Sequence, residues 1–204
     1  MQDFSLALEA PTAQVLHEAA LAHLARFATT RQGLRQILLR RVRRWGMKAE
    51  KAGGESEEIA SREAALQDEI EKILDAMTGL RAIDDENFAR SRTRSLLRSG
   101  RSRRAVQAHL LTKGVESDLV EGAVTETLEH LTEESGADAE LVAALILARK
   151  RAVGPFTRPD REAKEPEKIM AVFARNGFSR DLARRALTME KDEAEEMIWH
   201  FRSL

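Results

Sequence analysis

Arginine is the residue type through which this chain can do most. Seven arginines and no acid lie between positions 90 and 104: Arg90, Arg92, Arg94, Arg98, Arg101, Arg103 and Arg104. A guanidinium stays charged and offers five N–H donors in a planar fork, which suits phosphate oxygens and carboxylates. Arg90, Arg94, Arg98 and Arg101 recur at helical spacing, so on a helix they share one stripe that can track phosphates or acidic side chains. A second run holds Arg31, Arg35, Arg40, Arg41, Arg43, Arg44 and Lys48. Trp45 lies at its end and can either stack on a base or pack on a neighbouring helix. A third, smaller cluster is Arg149-Lys150-Arg151. The candidates for partner or DNA contact are Arg90, Arg94, Arg98, Arg101, Arg103 and Arg104, then Arg35, Arg43 and Arg44, then Arg149 and Lys150. The competing account is a solvated helix face, on which basic residues normally alternate with Glu one turn away. The missing acids weigh against it more in the first run than in the second. Together the clusters fit one continuous basic face for a long polymer.

Catalysis finds little support. The histidines His17, His23, His109, His130 and His200 lack metal-ligand spacing, and there is no HExxH, no GxSxG and no phosphate-cradling glycine loop. Gly53-Gly54 lacks the Lys-Ser/Thr that would hold a nucleotide. With no cysteine there is no disulfide, thiolate site or cysteine nucleophile. The expectation is a non-enzyme with no cofactor and no metal.

The elements that must carry the arginines are helices. Aromatics make up 4% of the 204 residues, tyrosine is absent, and Ala, Leu, Arg and Glu dominate. The four prolines, Pro11, Pro155, Pro159 and Pro166, avoid the periodic apolar stretches. Helical spacing runs over Val15–Phe27, from Thr30 to Trp45, over Glu57–Met77, from Asp84 to Gly100, and through Val106 and Leu110 to a stop at Lys113-Gly114. It continues over Leu119–Leu131, Leu141–Val153, Glu167–Arg175 and Arg180–Phe201. That makes nine helices, with loops at Met47–Glu58 and Phe156–Glu165. No apolar run reaches membrane-spanning length, and Met1–Ala10 has no signal-peptide pattern. A cytoplasmic protein without membrane contact is expected.

The net charge of −1 hides segregation by sign. Ala19–Ala49 and Asn87–Val115 each hold eight Lys/Arg and no acid, whereas Glu116–Glu140 holds nine acids and no base. The acidic stretch can pair with the basic blocks within the chain or repel DNA from one side.

An internal repeat appears at an offset of 63 residues. Val106 falls on Ile169, Leu110 on Phe173, Gly114 on Gly177, Val115 on Phe178, Asp118 on Asp181 and Leu119 on Leu182. Each glycine suits the left-handed position just past a helix end, after which the next apolar residue folds back on the helix. Val115 should then meet Leu110, and Phe178 should meet Phe173. Thr30–Trp45 reads as a degenerate first copy, with Leu34 and Leu38 in the places of Val106 and Leu110 but no glycine stop. The expected fold is all-α: three tandem three-helix repeats forming an elongated, curved array. Repeat 1 covers 11–82 with an inserted loop at about 46–58, repeat 2 covers 83–134, repeat 3 covers 135–190, and 191–204 is an acidic helical extension.

The string Asp84-Asp85-Glu86-Asn87-Phe88-Ala89-Arg90, then Gly100, Arg103-Arg104-Ala105-Val106 and Leu110-Leu111-Thr112-Lys113-Gly114-Val115, resembles the central repeat of the RecX family. Ile169, Phe173, Asn176-Gly177-Phe178 and Leu182 match its third repeat, and Ala20-Leu24 with Arg31-Leu34-Leu38 match its first. The resemblance covers about residues 15 to 190. Ser99 and Arg101 flank Gly100 where the family often has an aromatic, Met47–Glu58 looks inserted, and the stretch after Leu187, which continues as an acidic helix, is assigned no family role. The resemblance implies a modular, all-helical binder that lies along the groove of the RecA–DNA filament, and a monomer is expected. It also implies inhibition of RecA recombinase, ATPase and coprotease activities in DNA repair and the SOS response. Single- or double-stranded DNA can be touched through the basic stripe. The rival is a direct DNA-binding regulator of helix-turn-helix type, permitted by the glycine turns. Its recognition helix after Gly114 would be acidic, which phosphate repels.

Overall fold

The computed structural model describes residues 9–158 and 165–204. It contains helices α1 (Ala13–Leu24), α2 (Arg31–Lys51), α3 (Ser56–Gly79), α4 (Asp85–Arg98), α5 (Arg103–Thr112), α6 (Ser117–Ser135), α7 (Ala139–Arg151), α8 (Pro166–Arg175), α9 (Arg180–Thr188) and α10 (Lys191–Ser203). A 3-10 turn, Gly154–Phe156, follows α7, and no strand occurs among the described residues. The all-α class is therefore as expected. Residues 159–164 of the expected loop, and residues 1–8 of the segment read for a signal peptide, lie outside the described residues.

Starts and stops have local causes. Side chains of Thr12, Thr30, Ser102 and Ser179 each accept a backbone N–H from the residue three further on, which supplies donors a helix start leaves orphaned. Asp84 accepts from Asn87 (2.8 Å), and Asp138 accepts from Glu140 and Leu141 (3.0 and 3.2 Å). Gly114 and Gly177 have φ of 78° and 84°. Past them the Val115 N–H returns to the Leu110 carbonyl (3.2 Å) and the Phe178 N–H to the Phe173 carbonyl (3.1 Å). The rings of Phe178 and Phe173 lie 5.8 Å apart, so the apolar clasp forms where the repeat placed it.

The chain separates into two compact units, Met1–Phe88 and Ala89–Leu204. In the first, α2 and α3 form a long antiparallel hairpin that α1 packs against. Leu34, Leu38 and Val42 meet Leu66, Ile70, Leu74 and Met77, with Leu16 and Ala20 from α1 completing the core. The loop expected at 46–58 shrinks to residues 52–55, because α2 runs on to Lys51 and α3 begins at Ser56. Nothing before Gly53 (φ 90°) stops the helix. Gly46 is a contact rather than a break: a Cβ there would lie 3.4 Å from Ile59 and would collide with the Glu63 carboxylate.

In the second unit α7 is the central element. Leu141 to Ala148 are buried without interruption, and α6, α9 and α10 pack around them. The single helix expected over Arg180–Phe201 is two, so the described residues hold ten α-helices rather than nine. Met189 is extended (φ −67°, ψ 150°), and the Thr188 hydroxyl donates back to the Arg184 carbonyl at 3.1 Å. The break turns Ala194, Ile198 and Phe201, all 0% exposed, into the core. The acidic extension thus also closes the hydrophobic interior.

Candidate functional site

Helix α4 buries Ala89, Thr93 and Leu97, which leaves Arg90, Arg94 and Arg98 along one flank of that buried face. Gly100 seats the end of α4 on α7: a Cβ there would lie 3.0 Å from the Leu147 nitrogen and 3.2 Å from the Ala143 carbonyl oxygen. Arg101 does not continue the stripe. The helix stops at Arg98, the chain turns at Gly100 (φ 80°), and the Arg101 N–H folds back to the Leu96 carbonyl at 3.1 Å.

The seven arginines of this run fall into two groups. Arg90 pairs with Glu126 at 3.2 Å. Arg92 Nε–H donates to His109 Nε2 at 3.2 Å. The guanidinium of Arg103 donates to the Thr125 hydroxyl at 2.7 Å, and its backbone N–H to the Glu140 carboxylate at 2.9 Å. These three are engaged within the chain. Arg94, Arg101 and Arg104 are exposed and make no ion pair or side-chain hydrogen bond among the described residues. Arg98 stands between the groups: it is half-buried, and its Nε is shielded from solvent with no acceptor. A buried donor left unpaired costs about 1–3 kcal/mol, so an oxygen acceptor brought to it is favoured.

The third cluster divides. Lys150 reaches α4 and donates to the Ser99 carbonyl at 2.8 Å, which satisfies an orphan carbonyl at that helix end. As an exposed ammonium it keeps two further donors. Arg149 is half-buried and senses α10: burial first, then the charge of Arg202, lower its pKa from the ordinary arginine value, with Glu195 opposing. Lys150 therefore joins the end of α4, and Arg149 points elsewhere.

Of the candidates in the first unit, Arg35 is engaged by Glu71, which also takes Arg31. Arg43 and Arg44 are exposed. Sequence reasoning left out Lys51, because it ended the helix near Gly46, and it placed Arg40, Arg41 and Lys48 in the second run without making them candidates. The signal was available, since Arg40, Arg44 and Lys48 keep a four-residue spacing through that glycine. It also passed over two carboxylates that hold helix starts: Asp85 accepts the Arg31 N–H at 2.8 Å, as Glu140 accepts that of Arg103. Among the described residues no group of three or more His, Asp or Glu could hold a metal ion.

Residues 84–124 match the family model for the second three-helix domain of RecX. The chain is 35% identical over 173 residues to regulatory protein RecX of Myxococcus xanthus, spanning 84% of this chain and 83% of that protein. It is 38% identical over 120 residues to regulatory protein RecX of Agrobacterium fabrum, spanning 59% of each. The crystal structure of RecX from Lactobacillus salivarius superposes with a TM-score of 0.56 over 90% of this chain and 96% of that one, at 18% identity. That likeness concerns the fold.

Proposed function

The chain belongs to the RecX family of regulatory proteins, modulators of RecA, and from that premise we propose that it inhibits RecA by seating Arg94, Arg101 and Arg104 on the RecA–DNA filament. One observation carries the reading. These arginines are exposed and unneutralised, while the nearby carboxylates Glu126 and Glu140 are taken up by Arg90 and the start of α5. A filament offers rows of phosphates and carboxylates, and cations with no internal partner meet them without first breaking an ion pair. The spare donors of the exposed Lys150 ammonium extend the same surface.

The action is steric. A chain of helical modules spans neighbouring RecA subunits and opposes filament growth, so recombinase, ATPase and coprotease activities fall, with consequences for homologous recombination, DNA repair and the SOS response. The protein is a regulator and not an enzyme, as its family is. We read it as a cytoplasmic monomer; gel filtration checks the second point. The helix-turn-helix alternative is opposed by α6, which follows the Gly114 turn with Asp118, Glu121, Glu126 and Glu129 and no Lys or Arg.

The test is RecA ATPase on single-stranded DNA with and without the protein. Inhibition at substoichiometric protein is expected, together with its loss in Arg94→Glu/Arg101→Glu/Arg104→Glu and an unchanged far-UV circular dichroism spectrum. A triple variant that inhibits as the parent does removes this surface from the mechanism.

A further inference from the structure

The two halves of α2 treat their charges differently. In the first half Arg31 pairs with Glu71 and Asp75 at 3.1 and 2.8 Å, and Arg35 pairs with Glu71. In the second half Arg40, Arg41, Arg43, Arg44, Lys48 and Lys51 are all exposed, and none has an ion pair or side-chain hydrogen bond among the described residues. At 3.6 residues per turn Arg40, Arg44, Lys48 and Lys51 fall within an arc of about 80°. Met47, 57% exposed, lies about 20° outside that arc, on the side of Arg43, and Arg41 and Arg43 flank the arc. The opposite face carries the buried residues Leu34, Leu38, Val42, Gly46 and Ala49. Of the α3 carboxylates near α2, Glu71 and Asp75 hold Arg31 and Arg35, and Glu63 lies over Gly46.

We propose that this outward face of α2 is a second contact surface, for the phosphodiester backbone of nucleic acid, and that it works without RecA. From Arg40 to Lys51 the helix rises about 16 Å. One DNA strand presents a phosphate roughly every 3.4 Å of axis, so the ledge faces about five. A protein partner fits less well, because protein interfaces are anchored by aromatic or apolar side chains and here Met47 stands alone among six cations. A lipid surface fits less well too. Membrane-lying basic helices sink an apolar face into the bilayer, and the apolar face of α2 is its buried core. Trp45 is half-buried, beside Ala49, Ile59 and Arg62, and is not set out to stack on bases. The contact reads charge, not sequence.

The experiment omits RecA, so its outcome is separate from that of the ATPase assay. The full chain is titrated with a fluorescent 20-nucleotide oligo-dT and a 20-base-pair duplex at several salt concentrations. In Arg40→Gln/Arg44→Gln/Lys48→Gln the salt slope should fall by about 2.1 on the single strand or about 2.7 on the duplex, three contacts at 0.7 or 0.9 each. Arg40→Lys/Arg44→Lys keeps the charge and should keep the parent slope, which separates charge from folding. The proposal is overturned if the parent binds neither DNA. It is equally overturned if the neutral variant keeps the parent slope, or if phosphatidylglycerol vesicles are bound and DNA is not.

Discussion

Helices α2 and α5 begin alike and end differently. Each is capped by a hydroxyl, Thr30 or Ser102, buried to within 2%. Each opens with an arginine whose N–H goes to a carboxylate at the head of a later helix, Asp85 on α4 or Glu140 on α7. Each then buries a pair of apolar residues four apart, Leu34 and Leu38 or Val106 and Leu110. The two part at one position: α2 has buried Val42 where α5 is followed by Gly114 at φ 78°. With glycine the chain turns and Val115 folds back. With valine the helix continues to Lys51 and gains the length on which the unpaired cations stand. A single residue type at the stop separates a short helix that ends one turn past its packed pair from a long one that goes on to present a charged ledge.

Exchanging the stop residues tests this most directly. Val42→Gly loses a fully buried side chain, about 1.5–3 kcal/mol, and puts glycine inside a helix, roughly 1 kcal/mol more. A loss of about 3 kcal/mol in urea unfolding is expected, with lower helicity and weaker DNA binding as the ledge frays. Retained helicity would show that the α2–α3 hairpin, not residue 42, sets the length. Gly114→Val forces a β-branched residue into the left-handed region, for about 2 kcal/mol. Gly114→Asn, better tolerated there, should recover part of that loss. Equal losses for valine and asparagine would mean that the positive φ is not what the site demands.

The shared start predicts a smaller effect. Asp85→Ala and Glu140→Ala each remove a charged acceptor from the first N–H of α2 or α5, at a cost of about 1 kcal/mol. Similar losses in urea unfolding would support the equivalence of the two helices. The third copy has no such donor, since the residue matching Arg103 is Pro166, which opens α8 without an N–H. Pro166→Ala should therefore change stability by less than either acid variant. A larger loss would break the parallel.

Much of the fold was legible because it rests on local rules. Apolar spacing marked the helices, and Gly114 and Gly177 announced turns that need positive φ. What was missed depends on distant partners. Gly46 reads as a stop until Ile59 and Glu63, thirteen and seventeen residues on, are seen packed against it. The break at Met189 carries no glycine or proline and follows from core demand for Ala194, Ile198 and Phe201. The basic runs were legible as composition, but not which members remain unpaired. Glu126 is 36 residues from Arg90, and Glu71 is 40 from Arg31, so no local pattern separates Arg90 from Arg94.

The smallest effect distinguishes the helices by pH. Position 109 of α5 is histidine where α2 has Ile37, so only the second unit gains a titrating group there. Burial first, then the charges of Arg92, Lys113 and Arg101, hold His109 below its ordinary value of 6.5. The hydrogen bond from Arg92 Nε–H requires an unprotonated Nε2 and acts in the same direction. The folded chain therefore takes up this proton less readily than the unfolded chain. Above pH 6.5 both are neutral and His109 adds no pH dependence. As pH falls through that value the unfolded chain is protonated first, stability drops, and the drop levels off below the folded value. His109→Gln keeps an acceptor for Arg92 but cannot be protonated. Urea midpoints at pH 8.0 and 5.5 should fall less for this variant than for the parent, while Ile37→Val leaves the pH difference unchanged. A parent and His109→Gln that lose equal stability on acidification would place the acid sensitivity outside α5.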